Sequence, residues 1–307
     1  MRRFLPLIAL LACLAGCGGG DDGADGARRG TLALDFQPNA VHAGIYAARN
    51  ITIRVPSAST DSLKLLAAGR ADMSVVDIHD LGLARERGSD VVGVGALVQR
   101  PLAAVIARGS DVRRPRDLEG RRVGVTGLPS DEAVLRAVVE HDGGDIDRVH
   151  RVTIGFSAVP SLITGRVDAV VSFWNAEGVA LRERGVDTRE FRVDEYGAPR
   201  YPELVLAVTR ETLDERGELV DSMLAELEKG TRAALREREA TIAELVRASG
   251  ADEPLMRAQL EAVAPALTPP LRLDREALEN WARFDARFGI LRSPPDVERA
   301  FRLGAGG

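Results

Sequence analysis

Only two cysteines occur in the 307-residue chain, Cys13 and Cys17, and both fall in its first seventeen residues. Everything after them is without a thiol nucleophile, a cysteine metal ligand or an internal disulfide. Lysine is nearly missing as well: Lys64 and Lys229 stand alone, and the remaining positive charge is arginine, which we attribute to coding bias rather than chemistry. Beyond the first seventeen residues no apolar run approaches the roughly 20 residues that a membrane-spanning helix needs. Excess positive charge is also lacking. Cleaving off Arg2 and Arg3 would leave 39 of the 41 basic residues against 46 acidic ones, a balance of −7. That balance suits a soluble domain and argues against a nucleic-acid partner.

What is present begins with an address. Met1-Arg2-Arg3 is a short positive segment and residues 4–14 are an apolar stretch of signal-peptide length, too short to span a bilayer. Leu14-Ala15-Gly16-Cys17 resembles the bacterial lipobox, in which the thiol is acylated and the signal is cut just before it; an ordinary signal with an incidental cysteine is the competing reading. Gly18-Gly19-Gly20-Asp21-Asp22-Gly23-Ala24-Asp25-Gly26 has no apolar residue larger than alanine, so burial cannot offset the entropy of ordering it, and it reads as a flexible tether. The expectation is a signal over 1–16, a tether over 17–30 and an extracytoplasmic domain held to the membrane only through a lipid on Cys17.

About 280 residues remain, enough for two lobes. Strand-like runs at 31–35, 51–55, 72–76, 91–97 and 102–107 alternate with helical stretches near 41–48, 61–68 and 79–87. The pattern then restarts, with strands at 122–126, 149–154 and 168–173 around helices at 131–141, capped by Ser130, and at 158–164. A strand at 205–208 closes the series, and from 219 onward the chain is charged and helical. This predicts an α/β fold with largely parallel sheets, in two lobes joined by two crossing strands. The first lobe would take 31–108 and 205–307 and the second 109–204, with crossings near 107–111 and 201–206. Ligands of such folds bind at the carboxyl ends of the strands, so the cleft between the lobes is the expected site.

Several stretches resemble one family. Leu34-Asp35-Phe36-Gln37-Pro38-Asn39, followed by His42-Ala43-Gly44 and Tyr46, is similar to the opening of the ThiY-like, thiamine-precursor pyrimidine-binding branch of type II periplasmic binding proteins. Gly69-Arg70-Ala71-Asp72 and its counterpart Gly165-Arg166-Val167-Asp168 resemble runs found across such proteins. Phe173-Trp174-Asn175-Ala176-Glu177-Gly178 and Gly197-Ala198-Pro199-Arg200-Tyr201-Pro202-Glu203-Leu204 resemble later signatures of the same branch. The resemblance spans about residues 31–210 and implies a substrate-binding lipoprotein of an ABC importer: a monomer that hands a small molecule to a permease. Between Tyr46 and Ile51 the family carries a longer piece, whereas only Ala47-Ala48-Arg49-Asn50 stand here, which predicts a truncated first helix.

An aminopyrimidine is flat, weakly basic and edged with donors and acceptors, so its site needs aromatic faces and a carboxylate or amide to read the edge. Phe36, Tyr46, Trp174, Tyr196 and Tyr201 are candidates for the faces, with core packing as the alternative for each. Asp35, Asn39, Asn175 and Glu177 are candidate edge readers, and Ser130 would place helix N–H groups beside a polar ligand group. His42 and His79 also fall in the expected site, although a lone histidine is more often a hydrogen-bonded structural residue. Related pyrimidine synthases of the yeast type share the fold and hold pyridoxal phosphate on a lysine four residues before a comparable histidine. Val75 occupies that place here and cannot form an imine. The iron-binding cysteines of those enzymes are missing too, so no cofactor and no metal are expected. A sulfonate-, taurine- or nitrate-type receptor, a synthase-like enzyme, and a surface lipoprotein with a decayed pocket are the alternatives.

Overall fold

A computed structural model describes residues 29–58 and 61–304. The signal segment, Cys17, most of the expected tether, and the Ser59-Thr60 helix start lie outside the described residues. Among the described residues, ten strands form two five-stranded sheets: β1 (Gly30–Ala33), β2 (Ile51–Arg54), β3 (Met73–Asp77), β4 (Val91–Ala96), β5 (Ala103–Arg108), β6 (Arg122–Val125), β7 (His150–Thr153), β8 (Ala169–Phe173), β9 (Thr188–Arg192) and β10 (Leu204–Thr209). The first sheet runs β2-β1-β3-β10-β4 and the second β7-β6-β8-β5-β9. In each, one strand is antiparallel to both its neighbours: β10 to β3 and β4, and β5 to β8 and β9. The two sheets are therefore copies of one design, in which the strand that directly follows a crossing, β10 or β5, is inserted antiparallel between two others.

That pairing moves the first crossing away from its expected place at 107–111. Because β5 pairs within the second sheet, the chain passes between sheets at 97–102 and returns at 193–203. A strand run that continues almost directly from β4 looks like its neighbour in sequence, and only pairing reveals which sheet it enters. β9 has no counterpart in the sequence reading, because Thr188-Arg189-Glu190-Phe191-Arg192 has a single buried side chain, Phe191. Charge on such a strand suits an exposed sheet edge. At the other end β1 opens at Gly30, the last residue of the expected tether.

The repeated Gly-x-x-Asp runs do the same work in both halves. Gly69 and Gly165 have φ of +63° and +71°, the left-handed geometry that ends a helix cheaply only with glycine. Three residues on, Asp72 accepts from the Thr31 N–H at 2.7 Å and Asp168 from the Arg122 N–H at 2.9 Å. Each carboxylate thereby anchors the start of the strand, β1 or β6, whose far end reaches the cleft.

The first helix is as short as expected, Ala43–Ala47, and the link to β2 closes through Asn50 at φ +58°, a conformation asparagine tolerates better than most residues. This helix lies against the long C-terminal helix Gly217–Arg236 through facing glycines. A Cβ on Gly230 would stand 2.2 Å from the Gly44 carbonyl and 2.8 Å from the Ala48 nitrogen, with backbone rather than side chain in the way. Gly230→Ala is therefore expected to destabilise the fold by about 1–3 kcal/mol, as overpacked cores do. A urea titration would read this as a lower midpoint at unchanged slope; an unchanged midpoint would show that the two helices can simply move apart.

Candidate functional site

A cavity of about 350 Å³ opens between the sheets, lined from both. Its walls come from the carboxyl ends of β1, β3, β6, β7 and β8 and the amino ends of the antiparallel β5 and β10, which all reach the same edge. From the first sheet come Asp35, Phe36, Asn39, Asp77 and Asp80; from the second come Ser130, Asp131, Phe156, Phe173 and Glu177. Glu203, just before β10, contributes from the second crossing.

Phe36 and Phe156 meet across the cleft edge to face, with ring centroids 4.4 Å apart at 71°. Phe173 adds a third apolar surface. Against these stand six carboxyl groups, those of Asp35, Asp77, Asp80, Asp131, Glu177 and Glu203, with Lys64 and Arg87 as the cationic residues of the lining. Asp35 is held by the wholly buried His42: the Nδ1 accepts from the Asn39 N–H at 3.3 Å, which leaves Nε2–H to donate to Asp35 Oδ1 at 2.9 Å. The second carboxylate oxygen of Asp35 remains for the cavity. Asn39 itself caps the turn, accepting from Val41 N–H.

Glu177 sits in a π-helical turn, Trp174–Gly178, that directly follows β8. Such turns cluster at functional sites because they push a side chain out of helical register. Burial raises the Glu177 carboxyl to about 7; the Phe173 N–H that it accepts opposes the rise and the Asp35 carboxylate adds to it. Asp80 is lifted to about 6, first by burial and then by Asp131, with His79 pulling the other way. Burial likewise raises Asp77, Glu203 and Asp131. The cavity is thus a place where negative charge is crowded and an N–H donor or cation would relieve it.

Two acids also hold the frame. Glu203, 1% exposed, accepts from the N–H groups of Leu102 and Ala103 at 2.9 and 3.3 Å, tying the two crossings together. Asp131 accepts from Thr126 N–H and Oγ1, both at 2.6 Å, and from Gly127 N–H at 3.2 Å. This changes the reading of Ser130. The helix starts two residues earlier, at Pro129, with Leu128 at the cap, so Ser130 lines the cavity without capping, and Asp131 takes up the loop amides that precede the helix.

Of the residues singled out from sequence, Asp35, Phe36, Asn39, Ser130 and Glu177 line the cavity. His42 acts one layer behind, through Asp35. The other six are not in the lining. Tyr46 packs half-buried against an apolar cluster that draws on both lobes. Trp174 turns toward the crossing, its Nε1–H donating to the Pro101 carbonyl at 3.2 Å and the Arg192 guanidinium 4.4 Å from its ring centroid. Asn175 is wholly buried behind the same turn. Tyr196 stacks edge-on with Phe191 and His141. Tyr201 and His79 form a buried network: His79 Nε2–H donates to the Tyr201 hydroxyl at 3.1 Å and Nδ1–H to Asp285 at 2.6 Å. Burial opposes charge on that ring, but the Asp285 carboxylate more than compensates and raises His79 to about 10. Asp77, His79 and Glu203 lie close enough to suggest a metal, yet both ring nitrogens of His79 are already engaged as donors. Sequence reasoning missed Phe156, Asp77, Asp80 and Asp131. Their shared signal was position, at the carboxyl end of a strand or within six residues beyond it, rather than residue type.

Comparison with known proteins places this cavity in context. The NMT1/THI5-like family profile matches residues 39–241. A formylaminopyrimidine-binding protein of Halalkalibacterium halodurans is 33% identical over 228 residues, 70% of this chain and 68% of the relative. The 4-amino-5-hydroxymethyl-2-methylpyrimidine phosphate synthase THI13 of Saccharomyces cerevisiae is 26% identical over 166 residues, 50% of this chain and 48% of that one. Among solved structures, the periplasmic aliphatic sulphonate binding protein SsuA of Escherichia coli superimposes with a TM-score of 0.72 at 17% identity, covering 90% of this chain and 92% of its own. That likeness shows the two-sheet arrangement to be the periplasmic binding protein fold.

Proposed function

Because the chain belongs to the NMT1/THI5-like family, we propose that it is the substrate-binding component of an ABC importer, capturing a flat amino-substituted heterocycle of the formylaminopyrimidine kind. The observation that carries this is the facing of Asp35 and Glu177 from opposite sheets into one cavity, beside Phe36, Phe156 and Phe173. A planar ring between the phenylalanines would bring amino and ring-nitrogen donors to the two carboxylates, as charge-assisted hydrogen bonds. The six-to-two excess of acids over bases disfavours a sulfonate or nitrate, which wants arginine or free helix amides instead. Against catalysis of the synthase kind, Val75 lies buried in β3 and offers no amine to a pyridoxal.

We read the two sheets as two lobes hinged at 97–102 and 193–203, closing on the ligand in the form a permease would recognise. No helix among the described residues is long and apolar enough to cross a membrane. In our reading the lipid on Cys17 supplies the membrane attachment.

Calorimetry against formylaminopyrimidine, hydroxymethylpyrimidine, thiamine and riboflavin, with an alkanesulfonate and nitrate alongside, tests the assignment. At least one pyrimidine should bind well below the millimolar range. An alkanesulfonate or nitrate bound in preference, with every pyrimidine at or above roughly millimolar, would remove the claim. Affinity is also expected to rise as pH climbs through about 7, where Glu177 loses its proton and becomes a full acceptor. Glu177→Gln should flatten that rise. It should also stabilise the empty protein at pH 8. The folded-state pKa lies above the ordinary 4.5, so the native state holds the extra proton and loses stability as pH rises from 4.5 through about 7. A binding profile that stays steep in the variant would place the titration elsewhere.

A further inference from the structure

Gln259 belongs to neither sheet and does not line the cavity, yet it touches both walls. It stands on the helix Glu253–Val263 and is 4% exposed. Its Nε2 donates to the Ala176 carbonyl at 3.2 Å, and its Oε1 accepts from the Ala40 N–H in a long contact of 3.5 Å. Ala176 lies in the π-helical turn that presents Glu177. Ala40 opens the short helical turn directly after Asn39, the turn whose His42 holds Asp35. One side chain therefore bridges the turn that carries Glu177 in one lobe and the turn whose His42 braces Asp35 in the other.

The chemistry requires a carboxamide. One wall offers a carbonyl and the other an N–H, both in buried residues, so the bridging group must donate at one end and accept at the other. Glutamate as a carboxylate only accepts, and it would turn a charged oxygen on the Ala176 carbonyl. Leucine satisfies neither group, and an unpaired buried backbone group is costly. Met256, Leu260 and Val263 fix the supporting helix in the apolar core, so the reach of the side chain, rather than movement of the helix, sets the spacing.

We propose that Gln259 is a positioning residue that sets the distance between the Asp35 and Glu177 walls, and so tunes affinity without touching the ligand. This rests on the cavity being the ligand site. The strain-free separation that it imposes is the one at which both carboxylates reach one ring.

The test uses the full chain carrying Gln259→Leu or Gln259→Glu. Calorimetry with formylaminopyrimidine and hydroxymethylpyrimidine is paired with spin-label distances between cysteines placed at the exposed Val55 and Ile163, one on each lobe, in a background with Cys13 and Cys17 changed to serine. Gln259→Leu should raise the Kd at least tenfold and broaden the interlobe distance distribution. Gln259→Glu should behave like Gln259→Leu at alkaline pH and return toward the parent at acid pH, where the protonated carboxyl can again donate to Ala176. A merely space-filling role would give no such pH-dependent rescue. Parent-like affinity and distances in Gln259→Leu, or a Gln259→Glu variant that follows the leucine variant at every pH, would overturn the proposal. Should the parent bind no pyrimidine at all, the ligand assignment fails, while the distances and their pH dependence in Gln259→Glu still decide the role of Gln259.

Discussion

Replacing Asp35 by alanine is expected to cost between tenfold and somewhat over a hundredfold in pyrimidine affinity, about 1.5–3 kcal/mol, the worth of a hydrogen bond to a charged group. The geometry makes the residue hard to substitute. His42 donates to one oxygen at 2.9 Å and is itself held by the Asn39 N–H, so the carboxylate plane is fixed before any ligand arrives. An asparagine in place of Asp35 would accept the His42 proton with its carbonyl oxygen and turn its NH2 toward the cavity, presenting a donor where an amino-bearing ring needs an acceptor. Asp35→Asn should therefore be about as damaging as Asp35→Ala, although it is nearly isosteric. His42→Gln, which frees the carboxylate without removing it, should cost less. Calorimetry at pH 8, where Glu177 is charged in every variant, isolates the Asp35 contribution. Binding within threefold of the parent in both Asp35 variants would mean that the ring amine is read elsewhere in the cavity.

Asp285→Ala is expected to give the largest loss of stability in the molecule, about 3–5 kcal/mol, because it strips the partner from a buried ionised histidine. His79 is wholly buried, and Asp285 at 2.6 Å is what sustains its charge against burial. Deprotonation of the ring would relieve part of the cost, at the expense of one donor to the network. The sign of the pH dependence follows from the shift. The folded pKa, about 10, lies above the ordinary 6.5, so the stabilisation is fully present below pH 6.5 and is lost as pH rises through about 10. Urea titrations of the parent at pH 6 and pH 9.5 should therefore differ, and the difference should shrink in Asp285→Ala. A variant as stable as the parent, or an equal slope with pH, would show that the ring is neutral in the native protein.

Much of the architecture was legible because its signals are local. Alternating apolar runs, glycine stops at Gly69 and Gly165, and β-branched strands such as Ile51–Arg54 announce themselves within a few residues. The first crossing did not, since whether β5 pairs with β4's sheet or with β8 depends on residues more than sixty positions away. The site divides along the same line. Asp35, Phe36, Asn39 and Glu177 were readable because a strand end exposes whatever follows it. Tyr46, Trp174, Tyr196 and Tyr201 misled because an aromatic ring near a cleft is as useful for bracing the wall as for facing the ligand. Trp174 points to Pro101 and Arg192 for that reason. The acids Asp77 and Asp80 went unread since carboxylates are common on helix starts. Only the convergence of two sheets shows that they share one small space.

The return of β10 to the first sheet has a consequence for the order in which the molecule can assemble. In the first sheet β10 lies between β3 and β4, although it follows β4 by more than a hundred residues. Until Thr209 has been made, β3 and β4 have no strand between them and each presents an open edge, the surface on which chains mispair. Such long-range closure is slow. A chain cut short of β10 is thus not a smaller version of the receptor but an unsealed one: the second sheet, built from the consecutive strands β5 to β9, can close by itself, whereas the first has no finished wall until the chain returns to it.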